Sequence, residues 1–252
     1  MRIWHATAVA AMVGMTAIGA SRAAEITILT NMGVVSAVRD LAPAFERISG
    51  HKVIVQFEVG TAFVQKLNAN APADLVTHYP EAIDEVIKTG KVVAGTRTNF
   101  ARGGIGAVVR AGAPKPDIST PEAFKRSMLA AKSIAYSRAG ASGVYMAKLI
   151  ARLGIADQMK DKTRLIEGMP VADAVAKGEA EIGLQQINTM QGVPGTDYVG
   201  PLPGDLQDYI RFAAGLLVIA KEPDAAKAML AFIATPEAAP LIRKSGMEPL
   251  GR

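Results

Sequence analysis

The stretch Glu25-Ile-Thr-Ile-Leu-Thr30, then Val34, Val38, Leu41, Phe45 and Ile48 at helical spacing, then Gly50 and Lys52-Val-Ile-Val-Gln-Phe57, decides the fold. A β-branched run of strand length, an amphipathic helix closed by a left-handed glycine, and a second β-branched run make a β-α-β unit. Outward from it, the pattern predicts a helix near Ala62–Asn70, a strand at Ala73–Thr77 and a helix at Glu81–Thr89 ending at Gly90. This alternation argues for an α/β fold whose mostly parallel sheet is covered by helices.

The pattern shifts at Arg102-Gly103-Gly104. A strand is expected at Ile105–Arg110, followed by the Pro-rich stretch Ala113–Pro116. Thr120-Pro121-Glu122 then opens a helix, with Thr as cap, Pro in the first turn and Glu near the positive dipole end. A second alternation follows at Ser133–Tyr136, Val144–Leu153, Thr163–Ile166, Val171–Lys177 and Glu181–Gln185. Gly192–Gly204 reads as a loop, Phe212–Ala220 as a strand, and two helices close the chain, opening at Pro223 and at Thr235-Pro236. Two α/β blocks result: one lobe from residues 24–102 and 211–252, and a second lobe, 103–210, inserted into it. Two chain crossings make a hinge, with Gly103-Gly104-Ile105-Gly106 in it, and lobes of this kind close on ligands held between them. A single doubly wound domain is the alternative.

Composition narrows the function. Half of the 252 residues are hydrophobic, which excludes a disordered chain, and the absence of cysteine excludes disulfides, thiolate nucleophiles and cysteine-held metals. Three histidines, at 5, 51 and 78, leave little for a metal site, and no cofactor motif appears. Met1–Ala23 reads as a secretory signal peptide: Arg2 is the positive start, Ala6–Ala20 is uncharged and small, and Ser21-Arg22-Ala23 offers a cleavage site. The apolar run is shorter than the roughly 20 residues of a membrane span. Losing Arg2 and Arg22 with the leader lowers the net charge from +5 to +3. The basic residues are dispersed and aromatics scarce, so nucleic acid is not an expected partner, whereas a small anion is.

In open parallel sheets ligands bind beyond the carboxyl ends of the strands, where helix N-termini point. That rule selects Asn31-Met32-Gly33, Val59-Gly60-Thr61, Thr77-His78-Tyr79, Ser137–Gly143, Glu167-Gly168-Met169 and Gln185-Gln186. Glycines there admit an anion to backbone N–H groups. Ser137 and Ser142 supply hydroxyls, Arg138 can grip a carboxylate through two bonds, and one of Gln185 and Gln186 is expected to face the cleft. The candidate ligand residues are therefore Asn31, Met32, Gly33, Gly60, Thr61, His78, Ser137, Arg138, Ser142, Gly143, Gly168, Gln185 and Gln186. Met32 and Met169 line the cleft or pack in the core. No residue is assigned a catalytic role; the competing reading is an enzyme with His78 and Asp74 as its acid–base pair, although Asp74 is expected to hold its lobe together.

At these residues the chain resembles the periplasmic molybdate-binding proteins of ABC importers, within the wider class of extracellular solute-binding proteins. The resemblance is carried by Arg39–Glu46 before Gly50-His-Lys-Val53, Asn70-Ala-Pro-Ala-Asp-Leu75, Gly143-Val-Tyr-Met-Ala-Lys148, Gly178-Glu-Ala180 with Gly183, and Ala226–Phe232 with Pro236-Glu-Ala238. It implies a two-lobed periplasmic binding fold of type II, a monomeric, hinge-bending, exported receptor without catalysis, and an ABC permease as partner. A sensor kinase is an alternative partner. The family's first-loop serine falls on Gly33, its second serine loop on Glu58-Val-Gly-Thr61, its third contact near Ser142, its fourth near Gly168 and its tyrosine near Gln186. With these hydroxyls missing, an organic carboxylate is favoured over molybdate or tungstate.

Overall fold

The computed structural model describes residues 22–58 and 60–250, apart from the side chains of Gly60 and Thr61. Of the expected leader, residues 1–21 lie outside the described residues. The opening β-branched runs form β1 (Glu25–Asn31) and β2 (Lys52–Glu58), joined by α1 (Val35–Ser49) and paired in parallel from Glu25–Lys52 to Asn31–Glu58. Helix α1 buries Val38, Leu41 and Phe45, and Gly50 closes it at φ 73° while donating its N–H to the Glu46 carbonyl. Ile48, expected on the apolar face, is exposed in the last turn, beyond the reach of the sheet. After α2 (Gly60–Asn68), β3 (Leu75–His78) pairs in parallel with β1, and α3 (Pro80–Lys88) follows.

A thirteen-residue strand, β4 (Thr98–Arg110), then leads into the second alternation. This comprises α4 (Pro121–Ala130), β5 (Ile134–Ser137), α5 (Ala141–Arg152), α6 (Ala156–Met159), β6 (Thr163–Ile166), α7 (Val171–Ala176) and β7 (Ile182–Gln186). Strand β5 lies between β6 and β7, all three parallel. The Thr120 cap is present as the sequence predicts, its hydroxyl accepting the Ala123 N–H at 3.1 Å. The chain ends with α8 (Ile187–Met190), β8 (Thr196–Pro201), β9 (Tyr209–Leu216), α9 (Pro223–Phe232), α10 (Ala239–Lys244) and β10 (Glu248–Pro249).

Several boundaries differ from expectation. The Gly192–Gly204 segment holds β8, because its extended backbone finds an antiparallel partner in β4 despite its glycines and prolines. Strand β9 begins at Tyr209 and ends at Leu216, before the apolar Leu217–Ala220, and the final helix begins at Ala239, after turns over 236–238. Strand β4 begins at Thr98 and not at Ile105, so Gly103 and Gly104, expected ahead of the strand, lie inside it.

The sheet runs β2-β1-β3-β9-β4-β7-β5-β6, with β8 and β10 added on β4. Strand β4 changes partner in mid-course: Thr98–Gly104 pairs with β9, and Ile105–Val109 pairs with β7. At that change Gln207 substitutes for a strand, its Oε1 accepting the Ile105 N–H at 2.8 Å and its Nε2 donating to the Ile105 carbonyl at 2.9 Å. The buried Asp74 locks the first half of the sheet. Its carboxylate accepts the Thr27 N–H at 2.8 Å, the Lys221 N–H at 2.7 Å and the Glu222 N–H at 3.0 Å, tying β1 to the segment that enters α9. This is the lobe-holding role expected of it.

Candidate functional site

Strand β3, beside β1, ends against the middle of β9, where His78 pairs with Ala213, while β7 ends against the middle of β4, where Gln186 pairs with Ile105. The carboxyl ends of both parallel sets thus meet over the crossing of β4 and β9. Direct contacts join them. Gln186 Nε2 and Asn188 Nδ2 donate to the Gly33 carbonyl at 3.4 and 3.0 Å, and Asn188 Nδ2 lies 3.3 Å from Ser36 Oγ. The Tyr79 phenol also lies close enough to the backbone of Ala141, in the first turn of α5, to feel its N–H dipole.

The selected residues divide into those turned to local structure and those at this junction. Asn31 Oδ1 accepts the Gly33 N–H at 2.9 Å and shapes the β1–α1 turn. Gln185 Oε1 accepts the Val171 N–H at 3.0 Å and so caps α7. Ser137 Oγ accepts the Gly140 N–H at 2.9 Å. Gly168, at φ 71°, makes the turn before α7. Gly143 lets α5 start directly on β5: a Cβ there would sit 1.6 Å from the Ser137 carbonyl oxygen. Arg138 is ion-paired with Glu167, both more than half exposed, an arrangement worth little to stability. Gln186, Gly33 and His78 lie at the junction itself, and Ser142 is buried in the first turn of α5 without a side-chain hydrogen bond among the described residues. Met32 is half-buried in the β1–α1 turn, and Met169 packs on the apolar cluster under α7. Gly60 opens α2, whereas Thr61's side chain is outside the described residues.

Sequence reasoning missed Asn188 and Ser36, and it placed Tyr79 in a strand-end loop without counting it among the ligand residues. Tyr79 precedes Pro80, the first residue of α3, which was the one signal that marked it as a helix cap. Its ring extends an aromatic row: Phe63 to His78 at 4.8 Å, His78 to Tyr79 at 4.6 Å edge-on, and Tyr79 to Phe212 at 5.4 Å. The ring edge of Phe212 lies under Gly33, within 2.9 Å of where a Cβ would stand. Burial pushes the Tyr79 phenol up, against a smaller opposing effect from the Ala141 backbone.

Burial also lowers the His78 imidazole from 6.5 to about 4, so the ring is neutral near pH 7. The unfolded chain then binds the additional proton between these values, and stability falls as pH drops from about 6.5 toward 4. The expected loss reaches about 3 kcal/mol at pH 4. Urea midpoints at pH 7 and pH 4.5 check this: His78→Gln should show a smaller acid loss than the parent, and equal losses would contradict the assignment. His78 and Asp74 stand at opposite ends of β3, about 13 Å apart at strand rise, with Asp74 committed to backbone N–H groups. They do not form the acid–base pair of the competing reading.

Two open surface hollows lie elsewhere: one of about 240 Å³ among Leu29, Leu67, Lys91 and Ile219, and one of about 670 Å³ beside Gly95–Asn99 and Lys227. Neither is lined by the strand-end loops.

The family model for bacterial extracellular solute-binding proteins matches residues 26–248. The chain belongs to that family. One family relative, an aconitate isomerase of a Pseudomonas species, is 35% identical over 89% of this chain and 88% of its own length. A molybdate-binding protein of Azotobacter vinelandii is 29% identical, covering 90% of this chain and 91% of its own. Among solved structures, the sulfate-binding protein of Mycobacterium tuberculosis superposes with a TM-score of 0.73 at 19% identity, covering 90% of this chain and 87% of its own. The type II periplasmic binding fold expected of the family is thereby borne out. The expectation of a receptor without catalysis is corrected: a family member this similar, over this much of the chain, carries the name of an enzyme. Departures from the molybdate pattern at Gly33 and Gln186 raised the carboxylate alternative, but no residue pattern in the chain spelled out turnover.

Proposed function

We propose that this solute-binding protein binds a small unsaturated tricarboxylate, aconitate or a close analogue, at the junction of the two sheet halves, and shifts its double bond. The supporting observation is the side-chain set at the strand ends: an imidazole and a phenol stand in a row of aromatic rings, and the amides of Gln186 and Asn188 meet at the Gly33 carbonyl beside it. A tetrahedral metal oxyanion is better served by a ring of hydroxyls and backbone amides, whereas planar carboxylates on an allylic frame suit flat walls and amide donors. The relative at 35% identity supplies the substrate class. In such an isomerisation a general base takes a proton from the methylene carbon, and a general acid, its conjugate or a second group, returns one to the other end of the resulting allylic carbanion. The double bond moves, nothing is oxidised or reduced, and charge developing on a carboxylate oxygen is stabilised by hydrogen-bond donors aimed at it.

The protein acts outside the cytoplasm after cleavage near Ala23, as a monomer that closes by bending. One lobe comprises residues 24–102 and 211–252 and the other 103–210; the change of partners along β4 at Gly104 and Ile105 supports that division. Gly33, Gly60, Thr61, Ser142, His78, Arg138 and Gln186 contribute to the ligand shell. A second reading, an oxyanion receptor that feeds an ABC permease, is favoured by the molybdate-binding relative.

Titration calorimetry with trans-aconitate, cis-aconitate, citrate, molybdate, tungstate and sulfate separates the two. Aconitate is expected to bind with a dissociation constant in the micromolar range, about −8 kcal/mol, and the inorganic oxyanions at least about 100-fold more weakly. Tight binding of molybdate or tungstate with no response to any carboxylate would overturn the proposal.

A further inference from the structure

His78 combines three features that together define what it can do. Its Nδ1 accepts the backbone N–H of Tyr79, the cap of α3, at 2.8 Å. Its ring is held between Phe63 and the edge of Tyr79, which fixes its plane. It is only half-buried at the end of β3, and among the described residues no group hydrogen-bonds its Nε2. A backbone N–H can only donate, so Nδ1 must keep its lone pair, and in the neutral ring the proton then resides on Nε2.

We propose that His78 is a neutral hydrogen-bond donor, presenting Nε2–H to a carboxylate of the bound ligand, and is not the base that removes a proton. The inference rests on the tricarboxylate reading above. A neutral imidazole is suited to the task because its N–H is a weak acid whose hydrogen bond strengthens as the carboxylate oxygen gains charge. Serving as a base would require Nε2 to give up its proton first, and the Tyr79 N–H opposes the alternative tautomer. The low proton affinity of the buried ring agrees with this role, since the imidazolium is disfavoured at neutral pH. Specificity follows as well. A ligand with no acceptor at this position leaves the Nε2–H unpaired in a half-buried, aromatic setting, a penalty that discriminates against it.

The test joins a tautomer measurement to an affinity measurement. Long-range ¹⁵N–¹H correlation spectra of the protein at pH 7, with and without saturating trans-aconitate, are expected to show His78 protonated on Nε2 alone in both. Calorimetry with trans-aconitate should find His78→Gln, whose amide also donates, within about tenfold of the parent. His78→Phe, with its melting temperature and circular dichroism retained, should bind at least about 30-fold more weakly. A proton on Nδ1, an imidazolium in the complex, or parental affinity in His78→Phe would overturn the donor role while leaving the tricarboxylate reading intact. Failure of the parent itself to bind any tricarboxylate would overturn both.

Discussion

Replacing Gly143 with alanine is expected to abolish the native packing of α5. Alanine is the better helix former by about 1 kcal/mol, and at a solvated helix position the substitution would stabilise. Here the new Cβ would stand 1.6 Å from the Ser137 carbonyl oxygen and 2.7 Å from its carbonyl carbon, both backbone atoms that cannot swing aside. The clash exceeds the propensity gain, and α5 must lift from β5 or the protein unfold. A loss of more than about 4 kcal/mol is expected. If α5 lifts while the remainder stays folded, its first turn, with Ala141 and Ser142, moves away from the end of β5. Denaturant melts of Gly143→Ala check the stability, and a midpoint equal to the parent's would contradict the close approach.

Asp74→Ala is the second large effect. Three backbone N–H groups converge on this buried carboxylate, and removing it leaves them without an acceptor. Charge-assisted hydrogen bonds of this kind are stronger than neutral ones, and an unsatisfied donor costs about 1–3 kcal/mol when buried and less where water reaches it, as at the part-buried Lys221 and Glu222 N–H groups. Partial relaxation brings the expected total to about 4 kcal/mol, or roughly 10 °C in melting temperature for a chain of this size. Asp74→Asn should lose a large part of the same amount, because one of its two terminal atoms becomes a donor facing donors. Scanning calorimetry measures both. A loss below about 1 kcal/mol in Asp74→Ala would mean that the three N–H groups find other acceptors.

These two residues show how unevenly the molecule can be read from its sequence. Asp74 was legible as a structural acid from its place at the start of a strand, and the first β-α-β unit was legible from its periodicity, because burial on one face imposes the pattern directly. Strand β8 was not legible: it is short, lies between glycines and prolines, and exists because β4 offers it a free edge. The crossing of β4 was half legible. Its glycines marked the place, but the bracing of Ile105 by Gln207 joins residues about a hundred positions apart and leaves no local trace.

The site followed the same division. Strand-end loops could be chosen because ligands gather where parallel strands end, and Gln186 and His78 were found in that way. Whether Gln185 or Gln186 faced the junction depended on the pleat, and the structure turns Gln185 to the α7 terminus. Asn188 and Ser36 became visible only when the two halves of the sheet were brought together, and Tyr79, though in a chosen loop, gained a role only there. The molybdate resemblance described the scaffold well, but a shared scaffold does not fix chemistry, which resides in the few side chains placed on it.

The measurement that bears most directly on the account is proton NMR of trans-aconitate incubated with the purified protein in buffered D₂O. Growth of the cis isomer's vinyl resonance is expected, with deuterium entering the allylic positions as protons are removed and returned. An unchanged spectrum after a day at micromolar protein, under conditions where calorimetry shows aconitate bound, would contradict it and leave a binding protein without turnover.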